Sequence, residues 1–289
     1  MRRFVLAISS LLALTVTELS GQVWTHEISD GNIWVRVDAN RGGAITDFRI
    51  RENEVVRRNI VDNGDWTGRQ FQVSFYQGNW GPDCFPCNAS CYWGYNPVQA
   101  GNACQWFSGG AVLEHSSTRL VTETWPLQWN NQYSPSTSSI LLRQTIEIVQ
   151  PYVARVEYRV TNFESFAWDG TLHELPVAYV FTDFNQAYAY QGPSPFTYGP
   201  VTNIPIPSHQ FSTTEPWIAI SDVAGFTVAL YVPGKYTDWT VSSVGNANLM
   251  QAWTSMPLNQ GQQATAVVFF VGGYGLNAVR SRIYSLEGH

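Results

Sequence analysis

His173 and Glu174 adjoin in Leu172-His173-Glu174-Leu175-Pro176, an imidazole beside a carboxylate. That combination suits general acid–base chemistry, with His173 moving a proton and Glu174 orienting the ring. Neighbouring side chains on a strand point to opposite faces, so both act together only at a bulge or bend, which Pro176 favours. The alternative for His173 is a hydrogen-bonded histidine of the core or its rim.

A second set of polar residues alternates along Arg69–Tyr76. Phe71, Val73 and Phe75 face one way; Gln70, Gln72, Ser74 and Tyr76 face the other. Uncharged amides with a tyrosine suit a hydrogen-bonding floor beneath neutral hydroxyls, and a satisfied amide network between sheets is the alternative. Arg69 falls on the opposite face unless it precedes the regular strand. Asn96 and Gln99, in Tyr95-Asn96-Pro97-Val98-Gln99, add donors from a loop above.

These residues fit two reactions. Proton abstraction next to a uronate carboxylate needs a neutralising group, for which Arg69, Gln72 and Asn96 are candidates. It also needs an acid or base, for which His173 and Tyr76 are available. Glycoside hydrolysis needs two carboxyls, about 5–5.5 Å apart for retention or about 6.5–9.5 Å for inversion. Glu174, Asp183 and Glu215 are the candidates, with Glu114 and Glu123 behind them, but no local spacing singles out a pair.

Composition points the same way. Charged residues are 13% of the chain, aromatics are 14%, and there are 12 Trp. Low charge with many indoles suits rings stacked against the apolar C–H faces of sugars, although Trp is also ordinary core material. The net charge of −6 and the lack of a basic tract argue against nucleic acid. They also argue against a strongly anionic polysaccharide, unless a local basic cleft overrides the total. His26, His115, His173 and His209 lack metal-ligand spacing, so no metal or other cofactor is expected. A Gly-x-Ser-x-Gly elbow is missing too.

Arg2 and Arg3 precede an apolar run, Phe4–Val16, and small residues Ser20 and Gly21 follow it. This pattern predicts a secretory signal over residues 1–22 and a secreted, extracellular product. No later segment approaches the ~18–20 apolar residues of a membrane helix, so no membrane partner is expected. In a secreted chain, Cys84, Cys87, Cys91 and Cys104 read first as two disulfides, with three pairings open. A zinc site is the minor alternative. Asn88-Ala89-Ser90 is a glycosylation sequon in the same loop, where Trp80, Trp93 and Trp106 offer stacking platforms.

The elements carrying these residues are strands. Val156, Tyr158 and Val160 alternate with Arg155, Glu157 and Arg159 in the clearest of them. Others are expected at 32–37, 44–50, 69–76, 111–113, 118–126, 140–149, 217–221, 226–232, 249–254 and 264–271. One short helix is expected around 276–283, and an irregular excursion over the Pro-rich stretch 192–207. The pattern predicts a single all-β domain over residues 23–289, a two-sheet antiparallel sandwich with a disulfide-stapled loop.

Four stretches carry a family resemblance: Arg41-Gly42-Gly43-Ala44-Ile45, Val156–Asn162 followed by His173, Ala224–Tyr231, and Pro257-Leu258-Asn259-Gln260-Gly261. Their order resembles the galactose-mutarotase-like supersandwich of aldose epimerases, which also occurs in glycoside hydrolases and polysaccharide lyases. The resemblance implies a carbohydrate-active domain with an active-site histidine at His173. It also implies a glutamate base on the penultimate strand, where Asn248–Trp253 offers Gln251, which cannot take up a proton. Simple epimerase chemistry is therefore not expected. The sequence points instead to a polysaccharide-cleaving enzyme working by β-elimination with a His173/Tyr76 set. The alternatives are a hydrolase using Glu174 with Asp183 or Glu215, and a non-catalytic glycan-binding protein.

Overall fold

Period-two alternation of apolar residues turns most of the chain into strands. The computed structural model describes residues 25–58, 72–74, 97–101, 107–128, 137–165, 167, 172–245 and 247–289. The strands begin with β1 Thr25–Ser29, β2 Ile33–Asp38, β3 Ala44–Glu52, β4 Val55–Arg58, β5 Gln72–Ser74 and β6 Pro97–Val98. Next come β7 Gly110–His115, β8 Arg119–Thr124, β9 Leu127–Gln128, β10 Ile140–Gln150, β11 Val153–Asn162, β12 Leu172–Phe181 and β13 Phe184–Ala189. The last are β14 Thr202–Ile204, β15 Ser208–Phe211, β16 Trp217–Asp222, β17 Phe226–Tyr231, β18 Trp239–Val244, β19 Ala247–Ser255 and β20 Gln263–Tyr274. Helix α1 spans Leu276–Glu287 and ends where Gly288 (φ 82°) donates back to Ser285 and Tyr284.

A nine-stranded sheet has the order β14-β13-β16-β17-β20-β11-β10-β8-β7. A seven-stranded sheet runs β15-β18-β19-β12-β5-β6-β9. To the two sheets expected from the sequence the fold adds a third, the N-terminal sheet β1-β2-β3-β4. One core joins all three: Val35 and Phe48 from the small sheet, Val156 and Phe270 from the nine-stranded sheet, Ala178 and Met250 from the seven-stranded sheet. On its outer face the nine-stranded sheet buries Trp217, Ala229 and Val271 against Val279 and Ile283 of α1.

The turn between β2 and β3 needs glycine. Gly42 and Gly43 have φ of 64° and 70°, and a Cβ on Gly43 would lie 2.3 Å from the Thr122 hydroxyl oxygen. Two buried amides clamp this turn. Gln99 Nε2 donates to the Gly42 carbonyl at 2.8 Å and to Gln144 Oε1 at 3.0 Å, while Gln144 Nε2 donates to the Gly43 carbonyl at 2.9 Å.

The predicted strands at 140–149 and 156–162 are β10 and the greater part of β11, and the predicted helix begins at the expected residue. The irregular excursion contains β14. The signal segment, the four cysteines and Asn88 lie outside the described residues.

Candidate functional site

β12 and β19 lie side by side inside the seven-stranded sheet, and their alternation decides which side chains turn away from the main core. These turn toward a second face, the open face, on which Val177, Leu249 and Gln251 are buried and Glu174 and Trp253 are half-buried. Leu175, Ala178, Val180, Met250 and Ala252 belong to the main core. Val177, Tyr179 and Leu249 form a separate cluster on the other side. The register pairs Glu174 with Trp253 and Val177 with Gln251, so three steps on β12 match two on β19. The extra residue is a β-bulge at Pro176, which has no N–H to give to the ladder. The bulge resets the alternation. Glu174 therefore shares the open face with Val177 and Tyr179, while His173 shares the core face with Leu175.

On the open face Gln251 Nε2 donates to Glu174 Oε1 at 3.3 Å. The half-buried Trp253 indole donates to Thr240 Oγ1 at 3.0 Å. On the far side of Trp253, its N–H donates to the Asp238 carbonyl at 2.9 Å and its carbonyl accepts from Lys235 Nζ. Lys235 Nζ also lies 3.6 Å from Asp238 Oδ2. Burial pushes the Lys235 ammonium pKa down, and the Asp238 charge opposes that shift. Asp238 itself holds a φ of 60°, in the left-handed region, and accepts from Thr237 Oγ1 at 2.7 Å. The backbone register continues the row by setting Ser74 opposite Glu174 and Gln72 opposite Val177.

Three sequence-predicted assignments are corrected by these positions. His173 is 1% exposed on the core side of β12 and cannot meet a substrate on the open face. Gln99 is fully buried in the glycine-turn clamp, so its amide serves structure and not substrate. Glu215 is also removed as a catalytic carboxyl. It is 0% exposed, and it accepts from Arg280 at 3.0 Å, Trp217 Nε1 at 2.7 Å, Phe196 N at 2.8 Å and the Tyr284 hydroxyl. Asp183 is exposed in the turn after β12, and Glu114 and Glu123 stand on the nine-stranded sheet. Arg69, Gln70, Tyr76, Trp80, Trp93, Asn96 and Trp106 lie outside the described residues.

Thr240, Lys235, Asp238 and Trp253 escaped the sequence reading, and Gln251 entered it only as a residue unable to act as a base. One signal was present in retrospect: Gln251 and Trp253 alternate with apolar Met250 and Ala252. Among the described residues no group of three or more His, Cys, Asp or Glu side chains is placed to hold a metal ion.

No protein-family model and no curated protein matches this sequence. Solved structures do share its fold. A galactose mutarotase related enzyme from Lactobacillus acidophilus superposes with a TM-score of 0.53 at 11% identity, over 86% of this chain and 97% of its own. An aldose epimerase homologue from C. elegans gives 0.54 at 8% identity, covering 87% and 99%. An α-N-acetylgalactosaminidase from Bifidobacterium bifidum, in complex with GalNAc, gives 0.50 at 11% identity over 89% of this chain and 37% of that longer one. The fold is galactose-mutarotase-like, and identities this low speak for the fold alone.

Proposed function

We propose that this chain is a secreted carbohydrate-active enzyme that cleaves a uronate-containing polysaccharide by β-elimination on the open face of the seven-stranded sheet. The observation that carries the reading is the Glu174 carboxylate, half-buried on that face opposite Trp253 and hydrogen-bonded to Gln251. In a fold shared with sugar-converting enzymes, a carboxylate beside an indole pairs a proton acceptor with a surface for a sugar ring. Glu174 takes the proton on the carbon next to the uronate carboxylate. The electrons of that C–H bond form the new double bond as the glycosidic C–O bond breaks, and the leaving oxygen takes a proton, for which Tyr76 is the candidate donor. Lys235, hydrogen-bonded to the Trp253 carbonyl, is the candidate cation for the substrate carboxylate.

One observation favours hydrolysis as a second reading. The Asp238 and Glu174 backbones flank that of Trp253, about 10 Å apart by two interstrand spacings. Inverting glycosidases hold their two carboxyls about 6.5–9.5 Å apart, a separation that side chains leaning together from these positions can reach.

The test incubates the mature protein with uronate and neutral polysaccharides, following both the ultraviolet absorbance of unsaturated uronate and the release of reducing ends. Absorbance that rises in the native protein and is lost in Glu174→Gln is expected. Reducing ends without absorbance, lost in Asp238→Asn, would turn the reading to hydrolysis. Silence in both assays overturns catalysis and leaves a glycan-binding protein.

A further inference from the structure

The outer face of the nine-stranded sheet has two halves. α1 covers one, and the other carries a lattice of long charged side chains. Its rows follow from the register. Leu141 stands opposite Thr161, Arg143 opposite Arg159, Thr145 opposite Glu157, and Glu147 opposite Arg155. β8 extends them with Glu123 beside Arg143, Val121 beside Thr145 and Arg119 beside Glu147. The short side chains of Val121 and Thr145 floor a basin of about 410 Å³, walled by the arginines and glutamates.

Most of this charge is already neutralised. Glu157 lies 2.7 Å from Arg155 and 3.1 Å from Arg159, and Glu147 and Glu114 both hold Arg119. Arg143 differs. It is exposed, and among the described residues it has no carboxylate within ion-pair distance, although Glu123 is its neighbour across the ladder. Its other neighbour is the guanidinium of Arg159, and like charges directly opposite on a sheet repel. An anion between Arg143 and Arg159 would relieve that repulsion through charge-assisted hydrogen bonds.

The two rows beyond this pair each carry an exposed aromatic ring. Trp125 and Phe163 are 41% and 49% exposed, and their ring centroids are 5.7 Å apart at 45°. Phe163 continues the pairing of β10 with β11, its N–H donating to the Ser139 carbonyl at 2.8 Å. Trp125 follows Thr124, the partner of Leu142, which brings it level with Leu141. Residues two apart on a strand are about 7 Å apart, so Trp125 lies one step from the Arg143 row on the same face, and Phe163, packed on Trp125, lies one step further.

We infer that this face is a second glycan-binding surface, on the opposite side of the sandwich from Glu174, for an oligosaccharide bearing carboxylates. Trp125 and Phe163 receive the apolar face of a sugar ring, and Arg143 with Arg159 receives a carboxylate. Within a face whose arginines and glutamates otherwise balance, the facing pair Arg143 and Arg159 is the point of positive charge through which an acidic protein can hold a carboxylate. The site stands on its own observations and does not require the reaction proposed above.

The test measures binding of polygalacturonate to the full-length mature protein by calorimetry, in a Glu174→Gln background so that no cleavage intervenes. Trp125→Ala and Arg143→Gln are each expected to weaken binding about tenfold or more with the melting temperature unchanged. A neutral polymer of the same length is expected to bind weakly. Unchanged affinity in both variants would overturn the site, as would equal binding of the neutral polymer. Equal competition by a sulfated neutral glycan would overturn its assignment to carboxylates. Loss of binding in the variants of a protein that cleaves nothing would uphold this site while the proposed reaction fails.

Discussion

Glu215 and Glu174 both look like catalytic carboxylates in the sequence, and their surroundings separate them. Glu215 sits before β16 with no exposed surface, bound to Arg280, Trp217, Tyr284 and the Phe196 backbone. Arg280 lies in turn over the Tyr190 ring, 4.6 Å from its centroid, and donates to the Gly199 carbonyl. This cluster ties α1 and the Pro-rich stretch to the sheet. Glu174 reaches the open face of the other sheet next to Trp253. A carboxylate surrounded by fixed donors holds a fold together, and one that keeps part of its surface exposed, as Glu174 does, can exchange a proton.

The sharpest way to break that contrast is Arg280→Met. It leaves Glu215 buried without its cation, and a loss of about 3–5 kcal/mol is expected in denaturant unfolding. A variant as stable as the parent would put Glu215 back among the reactive groups. Tyr284→Phe removes one donor to Glu215 and is expected to cost about 1.5–3 kcal/mol.

The same tyrosine predicts a pH effect. Burial, with the bond to Glu215, pushes its hydroxyl pKa from 10.0 up to about 12. The folded state keeps the proton that the unfolded chain gives up, so this contribution is complete below pH 10.0 and is lost as pH rises through about 12. An alkaline unfolding series should show a smaller loss in Tyr284→Phe than in the parent, the remainder coming from Tyr152, Tyr158 and Tyr231, whose hydroxyls burial also pushes up. Glu157 titrates the other way, because hydrogen bonds from Arg155 hold its carboxyl below the ordinary 4.5. Its contribution is complete above that value and fades as pH falls below it. Arg155→Gln should flatten that acid limb by less than about 1 kcal/mol, since the pair is part-exposed.

Smallest in stability is Glu174→Gln, expected within about 0.5 kcal/mol of the parent. Its effect belongs in turnover, where loss of an acid–base group costs about 10²–10⁴-fold. A large shift in melting temperature would move Glu174 to the structural side.

Much of the scaffold was legible because one side of each strand is apolar. β10 and β11 alternate apolar residues with charges, so both their existence and their faces follow from the chain. β13 and β18 were missed because their open faces carry Gln and Ser, which blur the alternation. β1 buries only Ile28. The site was less legible for a specific reason. Counting back by twos from Tyr179 and Val177 puts His173 on the open face and Glu174 in the core. The bulge at Pro176 inverts that count; the proline marked a bulge as favoured, but not that it would turn Glu174 outward and His173 into the core. Gln99 misled in another way: an amide in a loop reads as a donor for ligands, and only its distant partners Gly42 and Gln144 show otherwise.

Those partners bear on how the chain is made. The clamp on the Gly42–Gly43 turn joins residues 57 and 101 positions apart. A nascent chain that has released only the small N-terminal sheet has neither amide to close that turn, and no partner layer for Val35 or Phe48. On a ribosome adding about 5–20 residues per second, the first strands emerge several seconds before β10 can dock on them. The N-terminal sheet is thus translated early and locked late, and until β10 arrives its apolar face is left open to chaperones.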